Sequence, residues 1–241
     1  MTALATPQRE ALAENLAAVR ERVAAAARRS GRSAEAVTLV AVSKTKPLAA
    51  VVAAWEAGQR DFGENRVQEA LGKIADAPPG LVWHMIGHLQ ANKARLVPGR
   101  FAMVHSVDSA RLAHALQKAM ERHADPGRTL DVLIQLNWTG ETTKSGVADE
   151  AGLRDLVAEV GACPALRLRG LMTMPDPALG EAETRRHFAQ VARLRERLQA
   201  DLGLGPAFDA LSMGMTHDFE WAIEEGATIV RVGTAIFGAR P

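Results

Sequence analysis

Short apolar runs alternate with stretches of helical periodicity along most of the chain. Eight such runs occur, at residues 38–43, 60–65, 83–87, 103–108, 131–137, 168–172, 210–214 and 229–233. The segments between them, among them 48–57, 109–122 and 179–200, have helical patterns and are long enough to connect parallel strands. This alternation predicts an α/β protein built as a (β/α)8 TIM barrel. An open doubly wound sheet is the alternative, but no G-x-G-x-x-G pattern follows the first run.

An additional helix is predicted before the first strand. Thr6 can cap it, Pro7 suits its first turn and Gly31 ends it. The apolar positions recur at helical spacing, at Leu12, Leu16, Val19 and Val23. Because no Pro/Ser-rich linker or low-complexity tract interrupts the pattern, we predict one domain over residues 1–241.

The composition is that of an ordinary soluble protein. Of the 241 residues 47% are hydrophobic and 24% charged, and the net charge of +1 argues against nucleic acid or a membrane surface as partner. The lone Cys163 cannot form an internal disulfide. No apolar run approaches the ~18 residues of a membrane span, and the first residues lack the features of a signal peptide. We therefore predict a cytoplasmic protein, and nothing in the sequence demands more than a monomer.

The turns after the seventh and eighth runs combine glycine with hydroxyl residues. These turns are "SMGMTHD" at 212–218 and "RVGTAIFG" at 231–238. In TIM barrels the loops after strands seven and eight often bind phosphate, because glycine lets backbone amides approach an anion. The glycines can alternatively serve only to make tight turns. Two such turns in this pair of loops favour the phosphate site.

The first run ends in two of the six lysines of the chain, Lys44 and Lys46. A lysine whose pKa is lowered by burial or by a neighbouring cation can form a Schiff base with a carbonyl group. Lys46 is the neighbouring cation, and a solvated strand end is the alternative role for Lys44. Combined with a phosphate site, a Schiff-base lysine indicates a phosphorylated aldehyde such as pyridoxal 5′-phosphate (PLP), or a class I aldolase acting on a sugar phosphate.

Arg231 interrupts the last apolar run and favours PLP over the sugar phosphate. Strand alternation places it on the same face as Gly233, so its guanidinium can point into the barrel and face a pyridine nitrogen. An ion pair with Glu64 is the alternative. His84 and His88 have the spacing of a helical zinc pair, but a strand ends between them and no third ligand is evident, so no metal is predicted.

The sequence resembles the family of pyridoxal phosphate homeostasis proteins in blocks that run in order along nearly the whole chain. These blocks are "LVAVSKTKP", "FGENRVQE", "WHMIGHLQANK", "SVDS", "KSGV", "LRGLMTMP", "LSMGMTHD" and "IVRVGTAIFGAR". The resemblance implies a barrel of the alanine racemase N-terminal type that holds PLP as a Schiff base on Lys44. It implies further cofactor-binding residues, namely Asn65, His84, Ser212, Gly214, Arg231, Gly233 and Thr234. We add Met172, Met213 and Met215, which can pack around a flat ligand, with core filling as the alternative.

The resemblance also implies a cofactor carrier without established turnover, which affects vitamin B6 and amino-acid balance and can supply PLP-dependent apo-enzymes. A racemase of this fold uses a tyrosine opposite its lysine and a second domain, and this sequence contains no tyrosine. A weak amino-acid racemase or a Schiff-base lyase or aldolase is the alternative. The sequence departs from the family at two positions, with Arg66 where tyrosine is frequent and Thr216 where serine is usual.

Overall fold

A computed structural model describes residues 4–123, 125, 127–138 and 145–239 and contains a closed barrel of eight parallel strands in chain order. The strands are β1 Thr38–Val42, β2 Asp61–Glu64, β3 Val82–Met85, β4 Met103–Val107, β5 Leu130–Gln135, β6 Leu166–Met172, β7 Ala210–Ser212 and β8 Ile229–Val232. The barrel closes where β8 pairs with β1 from Thr38↔Ile229 to Ala41↔Val232. The predicted barrel and its eight strands are confirmed.

Helices follow most strands and form the outer layer. They are α1 Thr6–Arg29, α2 Leu48–Glu56, α3 Val67–Ile74, α4 Ala110–Glu121, α5 Glu150–Gly161, α6 Glu181–Asp201, α7 Phe219–Glu224 and α8 Thr234–Phe237. Two short 3₁₀-helices, Ala34–Ala36 and Ala91–Leu96, precede β1 and β4. The connection between β3 and β4 is thus a 3₁₀-helix. None of the helices in the described ranges is both long enough and apolar enough to cross a membrane.

Helix α1 is the predicted additional helix, and it packs against α2, α7 and α8. Its N-cap is Ala5, one residue earlier than predicted, because Thr6 already has helical geometry. Its four predicted apolar positions, Leu12, Leu16, Val19 and Val23, are all buried. Gly31 lies beyond its end with φ of 70°, a left-handed conformation that glycine adopts without steric cost.

The two faces of the strands bury different residues. The outward faces pack on the helices and form the main core, which includes Phe62, Ile134 and Leu171. A separate apolar cluster fills part of the barrel interior, with members from six strands: Val40, Met103, Leu133, Met172, Ala210 and Ile229. Because successive side chains of a strand point to opposite faces, one strand can serve the outer core and the interior at once.

Candidate functional site

A cavity of about 440 Å³ opens at the carboxyl ends of the strands. Ligand sites in barrels lie at this end, and the volume is within the usual range of small-molecule sites. The structure brings six of the predicted site residues together in its wall: Lys44, Asn65, Met215, Arg231, Gly233 and Thr234. The lysine from the first strand and the arginine from the last therefore border one space.

Lys44 lies half-buried in the turn that follows β1. The next residue, Thr45, has φ of 64°, which is unusual for a β-branched residue and strained. The Lys46 ammonium donates to the backbone carbonyls of Gly238 and Ala239, at 3.2 and 2.9 Å. The turn thus separates its two lysines: Lys44 lines the cavity, and Lys46 is held by the segment after α8.

A buried ion cluster supports this turn from the side opposite the barrel interior. Lys73 of α3 donates to the Ser43 carbonyl at 2.7 Å and to the carboxylates of Glu64 and Glu69 at 2.7 and 3.0 Å. The Ser43 hydroxyl donates to Glu64 at 2.6 Å, and Glu69 accepts the backbone amide of Thr45. Burial raises the pKa of Glu64, and Lys73 opposes that rise. The cluster therefore fixes the backbone on both sides of Lys44.

Glu64 is not the partner of Arg231, contrary to the alternative drawn from the sequence. Alternation along β2 points Asp61 and Asn65 into the barrel and Glu64 outward, where it meets Lys73. A carboxylate one residue from an interior position lies on the wrong face to reach an arginine inside the barrel.

Arg231 is 4% exposed and lies in the wall of the cavity. Its Nη1 donates to the Ser212 hydroxyl at 2.5 Å and its Nη2 to the Thr173 carbonyl at 3.0 Å. Burial lowers its pKa to about 10, and the charge of Asp218 opposes this. The guanidinium consequently remains a cation at neutral pH.

The other five predicted residues lie outside the cavity wall. Ser212 and His84 are buried inside the barrel, where Ser212 accepts from Arg231 and His84 contacts His105 and Asp61. The remaining three lie in different places: Met172 in the interior apolar cluster, Met213 in the outer core and Gly214 in the turn after β7. The role of these five as direct cofactor ligands stays a prediction.

Gly214 nevertheless shapes the cavity wall. Its φ is 92°, and a Cβ on it would lie 2.6 Å from the Cβ of Ala222. Its carbonyl accepts the backbone amide of Arg231 at 2.9 Å. Only glycine allows the turn to approach α7 this closely while presenting Met215 to the cavity.

Several wall residues were not predicted as ligands from the sequence. They are Val42, Ile86, Gly87, His88, Gln135, Ser145, Met174, Thr216 and His217. Apart from Ser145, each lies at a strand end or within five residues after one, and that position was the available signal. Of the two departures from the family, Thr216 lines the cavity, and Arg66 is exposed at the N-cap of α3. Lys144 of the "KSGV" block lies outside the described residues.

Two turns at the mouth can hold an anion. Gly233 and Thr234 lead into α8, where the amides of Ile236 and Phe237 donate to the Gly233 carbonyl, and the two helix amides before them have no acceptor within the helix. Met215 and Thr216 lie in the wall after β7. No cluster of three His, Cys, Asp or Glu residues that could hold a metal ion occurs in the described part of the chain.

The sequence pattern of the alanine racemase N-terminal domain family matches residues 12–241, and the chain belongs to this family. The pyridoxal phosphate homeostasis protein of Pseudomonas aeruginosa is 51% identical over 232 residues, which cover 95% of this chain and 96% of that protein. The protein of the same name from Escherichia coli is 49% identical over 234 residues, covering 95% and 97%. The resemblance seen in the sequence blocks is confirmed.

Solved structures agree with this placement. PipY of Synechococcus elongatus without PLP is 39% identical with a TM-score of 0.82, and the match covers 94% of this chain and 100% of PipY. PipY with PLP bound is 38% identical with a TM-score of 0.80 and the same coverage. An alanine racemase from Corynebacterium glutamicum, at 20% identity and a TM-score of 0.68, shares the fold over 97% of this chain and 61% of the racemase.

Proposed function

We propose that this chain binds PLP as a Schiff base on Lys44 and serves PLP homeostasis by holding, buffering or delivering the cofactor. The observation that carries the proposal is the shared cavity wall of Lys44, Arg231 and the Gly233–Thr234 turn. Bond formation joins the neutral amine nitrogen to the aldehyde carbon as C=N and releases one water. The name of the relatives and the PLP bound to PipY support the same function.

The residues of the wall fit the chemistry of PLP. Lys44 supplies the amine, and the backbone amides of the two glycine turns supply donors for a phosphate, apart from that of Met215, which donates to the Asp218 carboxylate at 2.6 Å. Bound PLP supplies an aldehyde and an electron-withdrawing pyridine ring. Arg231 is a permanent donor at neutral pH, so a ring nitrogen facing it stays unprotonated and the ring is a weak electron sink.

The proposal is a carrier rather than an enzyme. The sequence contains no tyrosine, so the tyrosine acid–base pair expected of a racemase cannot form from this chain. The relatives from Pseudomonas aeruginosa and Escherichia coli are both named pyridoxal phosphate homeostasis proteins. The proposal includes one domain over residues 1–241, a monomer in the cytoplasm and transfer of PLP to apo-enzymes that depend on it.

Absorbance spectroscopy of the purified protein tests the proposal. We expect a Schiff-base band near the visible edge, its loss on borohydride reduction, and the reduced label on the peptide that contains Lys44. The variant Lys44→Ala should lose the band. Lys46→Ala is the matched control, because Lys46 lies two residues away and donates to backbone carbonyls instead of lining the cavity.

Two results would contradict parts of the proposal. A band that persists in Lys44→Ala and disappears in Lys46→Ala would place the Schiff base on Lys46 instead of Lys44. Rapid racemisation or aldol cleavage of an amino acid by the loaded protein, lost in Lys44→Ala, would replace the carrier by an enzyme.

A further inference from the structure

A chain of polar side chains crosses the barrel interior from Arg231 to Asp61. Arg231 Nη1 lies 2.5 Å from Ser212 Oγ, which lies 2.8 Å from Nδ1 of His105. His105 Nε2 lies 2.9 Å from Nδ1 of His84, and His84 Nε2 lies 3.0 Å from Asp61 Oδ1. Ser212 and His105 are fully buried, whereas the Asp61 side chain is 30% exposed. The chain therefore connects the cavity with the opposite end of the barrel.

The donor at the Arg231 end sets the direction of the first two bonds. A guanidinium only donates hydrogen bonds, so the Ser212 oxygen accepts from Arg231. The Ser212 hydroxyl proton needs an acceptor of its own because the residue is fully buried. Nδ1 of His105 lies at 2.8 Å and accepts it when that nitrogen carries no proton.

The same logic continues to Asp61. Burial lowers the pKa of His105 well below its usual value, and the charge of Arg231 adds to this effect. His105 is therefore neutral, and with Nδ1 as acceptor its one proton lies on Nε2 and is donated to Nδ1 of His84. His84 in turn donates its Nε2 proton to the Asp61 carboxylate. In this arrangement each hydrogen bond of the chain has one donor and one acceptor, with a cation at one end and an anion at the other.

We propose that Asp61, His84 and His105 are positioning residues that fix the Arg231 guanidinium through this directional hydrogen-bond chain. Reversing the His105 tautomer would point a second N–H at Ser212 Oγ, and the serine proton would lose the acceptor described above. A buried polar group without a partner is costly, and the Asp61 carboxylate, which only accepts hydrogen bonds, favours the same tautomers from the far end. The effect of a fixed Arg231 on the ring of bound PLP rests on the proposed function, whereas the expected tautomers do not depend on it.

The tautomers can be measured on the protein without cofactor. In protein labelled with ¹⁵N histidine, long-range ¹H–¹⁵N correlation spectra distinguish Nδ1–H, Nε2–H and imidazolium forms. Among the signals of the seven histidines, those of His84 and His105 would be assigned by their loss in His84→Gln and His105→Gln. We expect both residues as neutral Nε2–H tautomers near neutral pH. An Nδ1–H form of His105 or an imidazolium at His84 would overturn the proposed direction.

The variant Asp61→Asn tests the role of the carboxylate. An amide can accept or donate, so the histidines should lose their single tautomer in Asp61→Asn. Asp209→Asn is the matched control, because Asp209 immediately precedes β7 and accepts from Arg169 at the surface. Unchanged tautomers in Asp61→Asn would show that the carboxylate does not select them and would overturn the proposal.

Cofactor binding then tests the link to Arg231. We expect Asp61→Asn to shift the absorption band and to weaken PLP binding roughly tenfold, the factor that corresponds to about 1.4 kcal/mol, while Asp209→Asn changes neither. If Asp61→Asn and Asp209→Asn bound PLP equally well and had the same absorption band, the positioning role would be overturned. If Lys44→Ala left PLP binding unchanged, the Schiff-base function would fail, whereas the histidine spectra would stand independently of it.

Discussion

Replacing Lys73 by methionine should destabilise the fold more than the same replacement of an exposed lysine. Lys73 is 7% exposed, and its ammonium holds Glu64, Glu69 and the Ser43 carbonyl together. Methionine keeps the length of the apolar stem but removes the charge. Glu64 Oε1 would then retain only the Ser43 hydroxyl, and Oε2 has no hydrogen-bond partner among the described residues.

The expected loss in the free energy of unfolding is about 3–5 kcal/mol, the cost of leaving one charge of a buried pair uncompensated. Glu64→Gln should cost less, because Lys73 keeps Glu69 and the Ser43 carbonyl. The double variant should recover much of the loss, since it leaves neither Glu64 nor Lys73 as a buried charge. Urea unfolding of the three variants measures this order, and Lys118→Met on α4 is the control for an exposed lysine.

The loss should also depend on pH. Burial already raises the pKa of Glu64, and removing Lys73 raises it further. A carboxyl whose pKa is raised on folding contributes full stability below its unfolded pKa and loses it as the pH rises through the folded value. The difference in the free energy of unfolding between Lys73→Met and the parent protein therefore grows as the pH rises from the folded pKa of Glu64 in the parent to its folded pKa in the variant. An equal deficit at about pH 5 and about pH 8.5, or a deficit no larger than that of Lys118→Met, would refute this reasoning.

Three further predictions concern packing and backbone geometry. Gly214→Ala should lower the free energy of unfolding in urea by about 1–3 kcal/mol and weaken PLP binding, because residue 214 has φ of 92° and its new Cβ would collide with Ala222. An unchanged free energy of unfolding would contradict the expected backbone strain. Leu16→Ala should cost about 2–5 kcal/mol, since Leu16 lies on the buried face of α1 and is fully buried; a loss below about 1 kcal/mol would mean that α1 is loosely attached. Cys163 is buried and burial raises its thiol pKa, so an aromatic disulfide reagent should label it only after unfolding; rapid labelling of the folded protein would contradict its burial.

The fold followed from the sequence because periodicity is a local property. Most strands of the barrel are short apolar runs, with β2 (DFGE) as the exception, and the glycine turns and Lys44 lie at strand ends, where chemistry collects in this fold. The level of a side chain inside a closed barrel is not local, because it depends on strand tilt and register. The sequence and its resemblance assigned Ser212 and His84 to the cofactor site but could not give their level in the barrel, where both are buried and neither is among the residues that line the cavity.

Partners across the barrel were equally beyond the sequence. Arg231 and Ser212 are 19 residues apart, and Ser212 and His105 are 107 apart, so no spacing rule connects them. The pairing of Glu64 with Lys73 was open to prediction in part. The two residues are nine positions apart on a strand and on the helix that follows it, and strict alternation would have turned Glu64 away from Arg231.

Strand β2 shows how alternation lets one short segment support both Lys44 and Arg231. Asp61 points inward and ends the chain of side chains that reaches Arg231, and Asn65, just beyond the strand, lines the cavity. Glu64 points outward to Lys73 and thereby supports the turn that carries Lys44. A one-residue shift of β2 would exchange these faces, placing a carboxylate under the cavity and removing the anchor of both networks. The placement of Lys44 and Arg231 therefore depends on the register of β2 as much as on their own strands.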